Sequence, residues 1–171
     1  MGIFITPPPA PAAIIIINDG GGDVMDYTRA AARYDQEGRR VEIRGSCRSA
    51  CTLALAVRNV CVGNGAVVKW HQAYEQYSHR QRPDITAAML EALPKRIKQQ
   101  IDGKVRSTYS PEATLSYEQL LKLGVPDCDQ PAPTIKVDRT ISTKRAVAKD
   151  PSGPGFTFNP FPVFRWKINE H

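Results

Sequence analysis

Residues 13–24 read A-I-I-I-I-N-D-G-G-G-D-V, and this stretch decides the fold. Four consecutive isoleucines with no polar alternation predict a strand over 13–18 that is buried on both faces, as in a parallel sheet under helices. The glycines after it permit backbone dihedrals and close approaches that other residues forbid. Residues 24–37 then put Val24, Tyr27, Ala31 and Tyr34 on one helical face, with Gly38 as the stop. R-V-E-I-R, residues 40–44, alternates as a second strand does. Strand, glycine turn, helix and strand make a βαβ crossover, so the fold class is α/β with a largely parallel sheet. A glycine-rich turn in this position can cradle a phosphate. However, Gly20, Gly21 and Gly22 match neither G-x-G-x-x-G nor a P-loop with its lysine, so nucleotide binding has little support.

Working outward, residues 45–52 read G-S-C-R-S-A-C-T. Residues 45–49 are expected to form a turn, and the apolar run 50–57 a buried helix. Ser49 then stands at a helix N-terminus, where the dipole and free N–H groups favour developing negative charge. The plainer reading of such a serine is a helix N-cap. A short strand over 59–62, a tight turn at Gly63-Asn64-Gly65 and a strand over 66–70 lead to His71. A serine hydroxyl becomes a useful nucleophile when a base removes its proton, so Ser49 and His71 are the minimal pair for acyl transfer. His79 and His171 are read as structural or exposed.

Beyond a polar loop over 72–82, the apolar positions Ile85, Met89, Leu90, Leu93, Ile97 and Ile101 predict a helix over 84–101 that Pro94 kinks or divides. A turn begins at 110–112. Ser116-Tyr-Glu-Gln119 is a capping box for a short helix that Gly124 ends.

The 171 residues suffice for one domain with a core, and 42% hydrophobic with 23% charged content is that of a soluble globular chain. Three regions are expected: a proline-rich leader over 1–12, a domain over 13–128, and a basic, aromatic arm over 129–171. Residues 131–171 hold seven basic side chains against three acidic ones, which is most of the net charge of +6. Such a tail can meet nucleic acid, an anionic membrane or an acidic protein, but dispersed charge is weak grounds, and a solvated extension is the favoured reading. Its four phenylalanines and Trp166 are expected to dock on the domain, a neighbouring subunit or another protein.

No apolar run is long enough to span a bilayer, no basic secretory n-region opens the chain, and a cytoplasmic location is the default expectation. Cys47 and Cys51 lack a second ligand pair, so neither a metal site nor a cofactor is expected. The cysteines leave the redox compartment open, and a Cys47–Cys61 disulfide is one pairing that spacing alone cannot test.

Four stretches in fixed order resemble the Clp-protease/crotonase superfamily, above all the Clp proteolytic subunit and small bacterial Clp-like serine peptidases. I-N-D-G-G-G-D-V at 17–24 is similar to the family's I-N-S-P-G-G-x-V turn. C-R-S-A-C-T at 47–52 is similar to the Clp-like C-x-S-A-C-T elbow, and His71-Gln72 to the catalytic H-Q. Residues 115–127, L-S-Y-E-Q-L-L-K-L-G-V-P-D, resemble the L-S-x-x-E-A-x-x-x-G-L-x-D segment. The resemblance covers about residues 13–128.

It implies a spiral of ββα units and a serine peptidase acting through an acyl-enzyme. Ser49 would be the nucleophile and His71 the general base. The N–H groups of Gly21 and Ala50 would form an oxyanion hole. The third triad position, usually Asp, falls on Glu112, with Asp127 as its substitute. A homo-oligomer acting on peptide or protein substrates is also implied. The family's opening strand and helix have no counterpart before residue 13, and the arm is foreign to the pattern. The alternative is therefore a catalytically inactive Clp-like binding or assembly protein. Acyl-CoA chemistry of the crotonase type is less favoured, because that branch uses no Ser–His pair.

Overall fold

Strand β1 (Ile14–Asp19) passes through the glycine turn into helix α1 (Val24–Gln36), which returns the chain to β2 (Val41–Arg48) in the computed structural model. The structure describes residues 9–107 and 113–131. All of these fall within one compact unit, Met1–Ala132. Residues 1–8 of the leader, Glu112 and the arm from residue 132 onward lie outside the described residues.

After β2 come a 3-10 helix (Ser49–Ala56), β3 (Val60–Val62) and β4 (Val67–Trp70). Helices α2 (Pro83–Ala92) and α3 (Lys95–Ser107), strand β5 (Ala113–Ser116) and helix α4 (Tyr117–Lys122) complete the order. The chain is an α/β protein with a mixed five-stranded sheet in the order β1-β2-β4-β5, and β3 also pairs with β2. The β1–β2, β2–β3 and β2–β4 pairings are parallel, while β4–β5 is antiparallel.

Strand β2 is the axis of the sheet. Its first half, Val41 to Ile43, runs beside β3, and its second half, Ser46 to Arg48, beside β4. Asp19 pairs with Cys47, and Cys47 with Val68. The three parallel strands β1, β2 and β4 therefore finish level with one another. Their carboxyl ends deliver the glycine turn, Ser49 and His71 to a single edge of the sheet. Ligand sites of α/β sheets lie outside such carboxyl ends.

The core joins the sheet to the helices through Val41, Ile43, Leu55, Val68, Trp70, Leu90, Ile97, Ile101 and Leu120, each at most 2% exposed. The stripe expected on 84–101 is buried from Met89 onward, with Ile85 half-buried, but the chain divides at Leu93, whose backbone is extended (ψ 153°) before Pro94. A residue preceding proline is pushed out of the helical region in this way.

Several expectations need correction. Among the described residues strand β1 has one partner strand and stands at the sheet edge, and Ile15 and Ile17 are 56% and 70% exposed, so it is not buried on both faces. Residues 45–48 do not form a turn but continue β2 through a register shift opposite residues 16–18 of β1. The buried helix expected over 50–57 is present as a 3-10 helix, Ser49–Ala56. Strand β5, unforeseen in the sequence, has only four residues, too short for alternation to be conclusive. The disulfides are Cys47–Cys51 and Cys61–Cys128, which rules out a Cys47–Cys61 pairing. Cys128 reaches Cys61 because residues 126–128 run along β3, with the Val62 N–H donating to the Pro126 carbonyl and the Cys128 N–H to the Val62 carbonyl. Among the described residues no helix is long and apolar enough to cross a membrane.

Candidate active site

Ser49 stands where β2 ends and the 3-10 helix begins, with φ of +58°. Non-glycine residues rarely adopt this left-handed region, and where they do at functional sites the surrounding structure holds them there. Ser49 is thus not the N-cap: that position is Arg48, whose side chain makes no capping bond. Ser49 is instead an elbow, a sharp strand-to-helix corner of the kind that lifts a nucleophile out of a sheet. The Thr52 hydroxyl donates to the Ser49 carbonyl at 2.7 Å and pins the first turn.

His71 directly follows β4 and is 9% exposed. Its Nδ1 lies 2.7 Å from the Gln72 carbonyl oxygen. A carbonyl can only accept, so in the neutral ring Nδ1 carries the proton and Nε2 keeps the lone pair a general base needs. The Tyr74 ring packs against His71 at 5.6 Å between centroids and stacks on His79 at 5.9 Å. His79, itself at φ of +55°, is exposed.

The glycine turn approaches the elbow from β1. Asp19 organises it, its Oδ1 accepting from the Gly21 N–H at 2.8 Å and from the Tyr27 hydroxyl at 2.7 Å. Burial and this bond to Asp19 push the Tyr27 phenol up to about 12, so it keeps its proton and remains a donor. At the other end of the turn, Asp23 caps α1 by accepting from the N–H groups of Met25 and Asp26. The backbone of Gly21 lies against the elbow so closely that a Cβ there would sit 2.8 Å from the Ala50 nitrogen.

Ser49 and His71 line one cavity of about 650 Å³, together with Gly20, Gly21, Gly22 and Arg48. Val24, Met25, Ile85 and Met89 give it an apolar wall. The pair and the turn are thus brought to a common space. No hydrogen bond joins the Ser49 hydroxyl to the His71 ring among the described residues. A smaller cavity of about 340 Å³ at Asp35 and Arg58 holds neither serine nor histidine.

Of the other site candidates, Ala50 is the second residue of the 3-10 helix, where an N–H has no partner within the helix. Glu112 lies outside the described residues. The residue after it, Ala113, pairs with Trp70, the residue before His71. Asp127 is committed elsewhere, with one carboxylate oxygen accepting from the Tyr117 hydroxyl and the other from the Asp129 N–H. It does not line the Ser49 cavity.

Sequence reasoning missed three contributors. The Gln72 carbonyl has no sequence signature. Asp19 was recognisable only as a turn residue. The Cys47–Cys51 bond was signalled by two cysteines placed symmetrically about Ser49.

Among the described residues no group of three or more His, Cys, Asp or Glu side chains forms a metal site. Compared with known proteins, the chain matches no protein-family model and no curated protein sequence.

Proposed function

We propose that the chain is a serine hydrolase related to the Clp-type peptidases, cleaving peptide bonds through an acyl-enzyme on Ser49. The observation that carries this reading is the left-handed backbone of Ser49 on the wall of a cavity it shares with His71. A serine that only capped a helix would have extended backbone and no need of a disfavoured corner.

In the reaction, the Ser49 Oγ attacks the scissile carbonyl carbon while His71 Nε2 takes its proton. The same proton then passes to the leaving amine, and water repeats the sequence to free the acid. The Gln72 carbonyl orients the imidazole. The pairing of Trp70 with Ala113 favours Glu112 as a further acidic partner. The N–H of Ala50 and those of the glycine turn supply the oxyanion donors, of which one is worth roughly 10²–10³ in rate. The Gly21 N–H must first exchange its bond to Asp19 for the oxyanion.

The finer assignments belong to this reading. They are the Clp/crotonase spiral, a homo-oligomer, and an arm over 129–171 that contacts a neighbouring subunit or another protein. The two disulfides favour an oxidising compartment over the cytoplasm, because thiols in the cytosol are kept reduced.

A second reading, a Clp-like binding protein that has lost turnover, draws on two observations. Ser49 and His71 are not hydrogen-bonded to each other, and the Gly21 N–H is already engaged. Catalytic hydrogen bonds are often long before substrate arrives, which keeps the first reading preferred.

A fluorophosphonate probe decides between them. Labelling of Ser49, abolished in Ser49→Ala and strongly slowed in His71→Ala, supports the hydrolase. A folded protein that takes no label overturns it.

A further inference from the structure

The five residues Cys47-Arg48-Ser49-Ala50-Cys51 form a ring closed by a disulfide, with Ser49 at its centre. An extended run across four residue steps would span about 13 Å, whereas Cys47 and Cys51 have Cα atoms 5.5 Å apart. The bond joins the end of β2 to the first turn of the 3-10 helix, so it spans the corner at which the chain reverses. Glycine is the residue suited to φ of +58°, but the position needs a hydroxyl, and the disfavoured backbone must be held from outside. The Gly21 backbone presses on the elbow. The disulfide ties its two ends together, and Cys47 and Cys51 are 0% and 1% exposed, buried from reductants in solution.

We infer that the Cys47–Cys51 disulfide is a positioning element of the active site, holding the Ser49 backbone in its left-handed corner so that the hydroxyl faces the cavity. This rests on the hydrolase reading for its rate consequence, though not for its conformational one. The cysteines touch no reacting atom; they act through Ser49. Cys61–Cys128 provides an internal contrast, because it ties β3 to residue 128 and does not bracket Ser49.

The test uses the full oxidised chain and two double variants, Cys47→Ala/Cys51→Ala and Cys61→Ala/Cys128→Ala. Folding is checked by circular dichroism, and fluorophosphonate inactivation is resolved into a binding constant and a maximal rate. For the elbow variant, a fall of about 100-fold in maximal rate is expected, with binding changed by less than about threefold, as for a misplaced nucleophile. The Cys61/Cys128 variant is expected to lose thermal stability while keeping its maximal rate within about threefold at temperatures where it is folded. An elbow variant that labels as fast as the wild type overturns the proposal. So does one that unfolds globally, since the bond would then be a staple of the fold and not a positioner. If the wild type itself takes no label, the hydrolase reading fails separately. The Ser49 amide-to-α-proton coupling and Cα shift, compared between folded wild type and elbow variant, then decide: altered values sustain the clamp, and unchanged values overturn it.

Discussion

Gly21 lies so close to Ser49 that a Cβ on Gly21 would fall 2.8 Å from the Ser49 Cβ and 2.6 Å from the Arg48 carbonyl oxygen. Gly21 also has φ of +80°, so both its space and its backbone exclude a side chain. Gly21→Ala must push the turn away from the elbow. About 1–3 kcal/mol of stability should be lost to overpacking. The rate of Ser49 labelling should fall by about 100-fold or more, because an ångström of misplacement is costly to a positioned nucleophile. Denaturant unfolding and labelling kinetics on the same preparation measure both, and an unchanged labelling rate would remove Gly21 from the site.

Gly45 plays the corresponding part inside the sheet. A Cβ there would lie 2.0 Å from the Ile17 carbonyl oxygen, where the β1–β2 register shifts. Since the clash is with backbone, no rotamer change relieves it. Gly45→Ala should cost about 3 kcal/mol, at the upper end for overpacking, and should separate β1 from β2 where they deliver the glycine turn and Ser49. A urea midpoint within error of the wild type would contradict this.

Much of this arrangement was legible in the sequence, and the failures share a physical cause. The βαβ unit, the helix stop at Gly38, the capping box at Ser116 and the break at Pro94 all rest on local chemistry, and each is present in the structure. Ser49 and His71, picked out by residue type and by the family resemblance, come to one edge because the parallel strands that carry them finish there. The illegible features depend on long-range partners. The exposure of Ile15 and Ile17, while Ile14 and Ile16 pack on the core, shows that one face of β1 is uncovered by the described residues, which four isoleucines in a row do not disclose. The extension of β2 through Gly45 needs the Ile17 carbonyl opposite it. The partner of Cys61 is likewise set by chain path, a cysteine 67 residues away.

The Cys61–Cys128 bond closes a loop of 67 residues that contains β4, α2, α3, β5 and α4. On the chain-entropy account a loop of that length stabilises by about 4 kcal/mol. Cys61→Ala/Cys128→Ala should therefore lower stability by roughly that amount. Calorimetry of the oxidised proteins measures it. A loss below about 1 kcal/mol would mean that the hydrogen bonds of residues 126–128 to Val62 already hold this segment.

Asp35 sets an acid limit on stability. Its side chain is 4% exposed, and it accepts from the Arg58 N–H at 2.8 Å and from the Arg58 Nε at 3.0 Å. Burial alone would raise the Asp35 carboxyl, but the hydrogen bonds from the Arg58 side chain and backbone, with its charge, outweigh it and hold the group below its ordinary range. A value depressed in the folded state means that the unfolded chain takes up the proton first as pH falls. The stabilisation is therefore complete above the unfolded value of about 4 and is lost as pH drops through the folded value. Asp35→Asn should be less stable at pH 7 and should show a shallower fall in stability between about pH 5 and pH 2. Arg58→Gln should have the smaller effect, since the Arg58 side chain is 73% exposed and screened while its backbone donor remains. Urea unfolding of the three proteins across that pH range separates these contributions, and parallel curves for wild type and Asp35→Asn would show that Asp35 does not set the acid limit.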